Sequence, residues 1–87
     1  MFSKKYPLCL TISTMDKAKK TFLKKLGGRV ASLREMKGLN QTQLASECDK
    51  DRQSISRLEK GNVNPSAYYL FQISQALGTS LKDLLEF

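Results

Sequence analysis

Histidine is missing from this chain, and cysteine occurs only twice, as Cys9 and Cys48. The first absence removes the Ser-His and Cys-His pairs that activate a nucleophile. The two together leave no set of zinc ligands, so neither a metal nor a cofactor is expected. No Gly-rich phosphate loop is present, because Gly27 and Gly28 fall inside a helical pattern, where they are expected to loosen the start of a helix. Long apolar runs are lacking too. The stretch from Leu8 to Ile12 is too short to cross a bilayer. Lys4 and Lys5 before it imitate a signal peptide, but no small-residue cleavage site follows. Internal repeats and low-complexity tracts are absent. An enzyme, a metalloprotein and a membrane protein are thereby disfavoured, and a cytoplasmic location with reduced thiols is expected.

Acid is scarce at the front. Through Lys25 there are seven lysines against Asp16 alone, a net of +6. From Leu26 to Phe87 there are eight basic and seven acidic residues, a net of +1. The chain as a whole carries +7, and an excess of that sign favours polyanions, with nucleic acid first among them. Lys17, Lys19, Lys20, Lys24 and Lys25 read equally as a solvated helix start or as phosphate contacts. Eighty-seven residues support one domain, small enough to gain from dimerisation.

Two periodicities divide the chain into an N-terminal arm, residues 1–15, and a helical domain, residues 16–87. Leu8, Leu10 and Ile12 alternate with Cys9, Thr11 and Ser13, the period of a strand. That segment reads as a flexible arm, including an upstream extension before a start at Met15, or as a strand pairing with its copy across a dimer. From Asp16 the period is helical, and Phe22, Leu26, Val30 and Leu33 are expected to share the buried face of a first helix stopped at Gly38. Asn40 with Gln43 has the form of a capping box opening a second helix, with Leu44, Ala45 and Cys48 inward. Asp51 caps a third helix running to about Lys60. Gly61, Asn62, Asn64 and Pro65 form a loop. Ser66 caps a fourth helix bearing Leu70, Ile73 and Leu77 and ending at Gly78; Ser80 opens a short fifth with Leu81, Leu84 and Leu85. The fold class is all-α, five short helices with tight connections.

The third helix carries the chemistry. With about 100° per residue, Arg52, Gln53, Ser56, Arg57 and Lys60 fall within an arc of roughly 140°, while Ser54, Ile55 and Leu58 lie opposite. Asp51 and Glu59 fall outside that arc, and Asp49 lies in the polar break before the helix. Arg can make paired bonds to guanine O6 and N7, Gln to adenine N6 and N7, and Ser is small enough to meet a base or phosphate. These residue types suit base edges, and they suit equally the polar outer face of an ordinary surface helix.

The stretch LNQTQLASECDKDRQSISRLEKGNVNPS, continued by LFQISQALGTSLKDLLEF, resembles the lambda-repressor-like, Cro/CI-type (XRE) helix-turn-helix family over about residues 22 to 86. The carrying positions include Leu39, Gln41, Leu44 and Ala45; Ser54 through Glu59 with Gly61; Asn64, Pro65 and Ser66; and Ala76, Leu77 and Gly78. The resemblance implies a five-helix lambda-repressor-like domain binding double-stranded DNA. It implies base reading by Arg52, Gln53, Ser56 and Arg57, backbone contacts from Asn40, Gln41, Lys60, Asn62 and Asn64, and an ion pair between Arg34 and Glu59. Two positions depart from the pattern. Asp49 stands where the turn usually has Gly, and Lys50 stands where an apolar residue is usual, adding a cation expected near the phosphates. The function expected is a transcriptional regulator, a repressor binding a near-palindromic operator as a homodimer. The rival is a protein-interaction module, such as an antitoxin or restriction-modification controller that also binds DNA, with Tyr68, Tyr69 and Phe71 as the surface for a protein partner.

Overall fold

The computed structural model describes residues 12–87 in backbone and residues 16–87 in side chain. Five helices follow in order: α1 (Ile12–Met36), α2 (Gln41–Glu47), α3 (Arg52–Glu59), α4 (Ala67–Leu77) and α5 (Leu81–Leu84). All regular structure among the described residues is helical, and of the arm or strand expected over residues 1–15, residues 1–11 lie outside them. α1 starts at Ile12, before the expected Asp16, so residues 12–15 carry helical backbone. Neither Pro nor Gly occurs between Pro7 and Gly27, so no strong breaker stops the helix from extending toward the N-terminus.

The helix ends are set by local hydrogen bonds that the sequence announces. Asn40 Oδ1 accepts from the Gln43 amide and Gln43 Oε1 accepts from the Asn40 amide, both at 2.8 Å, a reciprocal capping box. Asp51 accepts from the Ser54 amide at 2.7 Å, Ser66 from Tyr69 at 3.1 Å and Ser80 from Asp83 at 3.0 Å. Gly78 closes α4 in the left-handed conformation. The α2–α3 turn needs the same conformation at Asp49, whose φ of 57° is the one positive value at a non-glycine among the described residues. Aspartate tolerates that region better than most side chains, so the turn closes without Gly.

Leu26, Val30, Leu44, Ala45, Cys48, Ile55, Leu58, Ile73, Ala76, Leu77 and Leu84 form one buried cluster, with Leu33, Leu39, Val63, Tyr69, Leu70 and Leu81 against it. Ala45, the small residue expected where helices cross, is buried. Two expected core positions are corrected. Phe22 is 50% exposed, and Leu23, 8% exposed, takes its place. Leu85 is exposed as the C-cap residue of α5, leaving Leu84 as that helix's anchor.

Gly27 explains the first correction. Far from loosening a helix start, it lies within α1, where a Cβ would meet the backbone carbonyl oxygen of Leu58 and, at 2.5 Å, that of Glu59. The bare backbone lets α1 press onto the end of α3. The inward stripe is then Leu23, Leu26, Gly27 and Val30, which turns Phe22 outward to stack edge-on against Phe87 at 5.4 Å. Gly28 faces open space.

Candidate nucleic-acid interface

α3 is amphipathic in the sense its sequence requires. Ile55 and Leu58 are sealed beneath it, at 0% and 1% exposure. Arg52, Gln53, Arg57 and Lys60 are exposed on the opposite side, with Ser56 half-buried among them. Asp51, directly before Arg52, is occupied as the N-cap. Its carboxyl is held below the ordinary range, chiefly by the Ser54 amide, so it stays an anion pinned to the helix start. Arg57 Nη2 donates to Gln53 Oε1 at 3.3 Å, one turn apart, which sets two candidate reading groups side by side.

The position of this ridge is fixed from below by a buried polar network. Arg34 on α1 donates through Nε to Glu59 Oε2 at 2.6 Å and through Nη2 to Glu59 Oε1 at 3.1 Å. Its Nη1 donates to the Leu39 carbonyl at 2.8 Å. Gln41 at the start of α2 donates through Nε2 to Glu59 Oε1 at 2.9 Å. Side-chain exposure is 12% for Arg34 and 7% for Glu59, so this is a shielded, forked ion pair. Hydrogen bonding to Glu59 pushes the Arg34 pKa further above its already high ordinary value, against the opposing effect of burial. One carboxylate thus ties three helices together at the base of α3.

The remaining sequence-derived positions divide into those gathered around the ridge and one that is not. Gln41 joins the network, and Asn40 precedes it with Oδ1 committed to the cap. Lys60, Asn62 and Asn64 are exposed at the exit of α3. Lys50 is directed elsewhere, its Nζ lying 4.9 Å from the centroid of the Tyr69 ring on α4.

The three aromatics of α4 separate as well. Tyr69 turns inward, its hydroxyl enclosed without a hydrogen-bond partner and its pKa raised mainly by burial. Tyr68 and Phe71 remain exposed and stack at 6.3 Å. Cys48 is buried with its thiol pKa raised, again mainly by burial, as expected of a small core hydrophobe. Three contacts that the sequence did not show hold the first helix and its end in place: Gly27 against α3; Arg29, whose Nε and Nη2 donate to the Asp83 carbonyl of α5 at 3.2 and 3.0 Å; and Lys37, whose Nζ donates to the Ala76 carbonyl of α4 at 2.8 Å. The partners of Arg29 and Lys37 lie 54 and 39 residues away, beyond any local pattern.

A helix-turn-helix family model matches residues 30–84, the part that holds the α2–turn–α3 unit together with Arg34 and Glu59. The chain belongs to the Cro/CI-type (XRE) helix-turn-helix family. Control protein C.BamHI from Bacillus amyloliquefaciens is 44% identical over 62 residues, covering 70% of this chain and 76% of that protein. An uncharacterized HTH-type transcriptional regulator from Sinorhizobium fredii is 37% identical over 62 residues, covering 71% and 80%. Among solved structures, the restriction-modification controller protein C.AhdI from Aeromonas hydrophila superposes with a TM-score of 0.73 at 32% identity, covering 75% of this chain and 94% of that one. The clp gene regulator ClgR from Corynebacterium glutamicum gives a TM-score of 0.71 at 31% identity, covering 74% and 83%. The five-helix architecture expected from the sequence is therefore the observed one. Among the described residues, no helix is long and apolar enough to cross a membrane.

Proposed function

We propose that this protein is a sequence-specific DNA-binding transcriptional regulator that acts as a repressor and binds a near-palindromic operator as a homodimer. The observation that carries the reading is the acid-free exposed ridge of α3, sealed beneath by Ile55 and Leu58 and locked at its base through Glu59. Laid in a major groove, Arg52 and Arg57 suit guanine O6 and N7, and Gln53 suits adenine N6 and N7. Ser56, lower on the ridge, admits a close approach to a base or methyl group. Lys60, Asn62 and Asn64 at the exit of α3 meet phosphates, as do Asn40 and Gln41 at the start of α2. Lys50 joins them only if its side chain leaves the Tyr69 ring.

A single eight-residue reading helix touches too few bases for useful discrimination, so two copies reading half-sites about 34 Å apart follow from the chemistry. The reading involves no cofactor and no catalytic step, and it places the protein in the cytoplasm with its DNA. Its similarity to C.BamHI and C.AhdI supports this regulator reading and, within the rival reading, a restriction-modification controller over an antitoxin.

Selecting bound duplexes from a random pool, then weighing the complex, tests the proposal. The expected result is an enriched sequence of two inverted halves carrying two copies, with affinity falling steeply as salt rises. Absence of any enriched sequence, or affinity indifferent to salt, would overturn it.

A further inference from the structure

The family match begins at residue 30, yet α1 begins at Ile12, so a helical extension precedes the matched region. That extension holds most of the charge excess of the front of the chain, and Lys17, Lys19, Lys20, Lys24 and Lys25 are all exposed. It does not stand free of the reading helix. A Cβ on Gly61 would lie 2.9 Å from the Lys24 amide nitrogen and 3.0 Å from its Cα, so α1 and the loop leaving α3 touch backbone to backbone. Gly61 also needs its φ of 77°, and a side chain there is excluded twice over.

The contact leaves a groove lined by Lys19, Lys20, Leu23, Lys24, Gly61, Asn62, Val63 and Asn64. Leu23 and Val63 supply the apolar floor. Three ammonium groups and two carboxamides line it, with no acid among them. Lys60, the last residue of the reading ridge, directly precedes Gly61, so ridge and groove form one uninterrupted basic track. Lys25 falls on the other side of α1, about 170° around the helix axis from the middle of the arc that holds Lys24, Lys20, Leu23 and Lys19.

We propose that the extended α1 is a second DNA-backbone site, in which Lys19, Lys20 and Lys24 close with Asn62 and Asn64 on phosphates flanking the half-site read by α3. This rests on the DNA-binding reading above and adds to it a contact outside the family-matched region. The ligand is the phosphodiester backbone, with no base preference. The lysines sit at a fixed place beside the reading helix, so they lengthen the footprint without changing the preferred sequence.

The test uses the full chain and a triple substitution, Lys19→Gln, Lys20→Gln and Lys24→Gln, with Lys25→Gln as the control on the other side of the helix. Two duplexes serve as probes: the selected site alone, and the same site with about one further helical turn, roughly 10 bp, on each side. For the wild type, affinity is expected to rise with the longer duplex. For the triple variant that gain disappears, and the slope of log affinity against log salt falls by about 0.9 per lost phosphate contact per copy. The preferred sequence stays unchanged, and Lys25→Gln behaves as wild type. Melting curves of the free variants verify that folding is intact. Equal salt slopes and equal length dependence for the triple variant and wild type would overturn the inference while leaving the DNA reading standing. A loss from Lys25→Gln of about one third of the triple variant's, the share of one charge among three, would also overturn it, by showing diffuse attraction rather than a site. Failure of the wild type to bind either duplex, including binding only to anionic phospholipid vesicles, would remove both the inference and the reading beneath it.

Discussion

The junction of α1 with α3 and the outer ridge of α3 are built from similar residues put to opposite use. At the junction, Arg34 spends its guanidinium on Glu59 and the Leu39 carbonyl and is almost wholly shielded. On the ridge, Arg57 holds one long hydrogen bond to Gln53 and otherwise faces water. The contrast follows from what each must do. A charge taken out of water needs every donor satisfied, and a satisfied charge fixes geometry. A charge that must bind a partner has to keep its donors available. α3 is short, so a fixed underside is what gives its free upper side a defined direction.

The contrast is sharpened by substitutions on each side of α3. The largest expected effect is at the junction: Glu59→Ala leaves Arg34 shielded without a partner and should cost about 3–5 kcal/mol in folding, measured by urea unfolding. Leu58→Ala should cost roughly 2–5 kcal/mol through the cavity it opens under the ridge. Gly27→Ala drives a methyl into the carbonyls of Leu58 and Glu59 and should cost about 1–3 kcal/mol, although Ala is the better helix former. A ridge substitution should invert the pattern. Arg57→Ala is expected to leave folding within about 0.5 kcal/mol of wild type and to weaken the selected duplex by about 1–3 kcal/mol in a titration. If Arg57→Ala unfolded the protein, or Glu59→Ala left its stability intact, the division between the two faces would be broken.

Much of this arrangement was legible in the sequence because it depends on short-range rules. Asn40 with Gln43, Asp51, Ser66 and Ser80 announced four helix starts, and Gly38 and Gly78 announced two ends, since caps act within one turn. Asp49 was placed in the turn by the family pattern, and it serves there because few side chains other than Asn and Asp enter the left-handed region readily. The Arg34–Glu59 pair came from family resemblance alone, since its partners lie 25 residues apart on different helices, where the structure sets them 2.6 Å from each other.

What stayed hidden depends on contacts across the fold. Phe22 and Leu23 satisfy helical spacing almost equally, and the choice between them is made by Gly27 meeting the carbonyls of α3. The same contact turns an apparent helix weakness into a packing requirement. Lys50 read as a cation for phosphates, and the ring of Tyr69 that receives it belongs to another helix. The start of α1 was missed because the alternation up to Ile12 imitates a strand, while nothing strong enough to stop a helix lies between it and Gly27. Arg29 and Lys37 reach carbonyls near the ends of α5 and α4, and no local signal foretells such partners.

The most direct test of the central claim, that the free face of α3 reads bases, is the sequence preference of Gln53→Ala compared with wild type in the same random duplex pool. The account predicts relaxed preference at one base position in each half-site, unchanged preference at the others, and an unaltered unfolding curve. A variant that selects the same sequence as wild type at every position would contradict it.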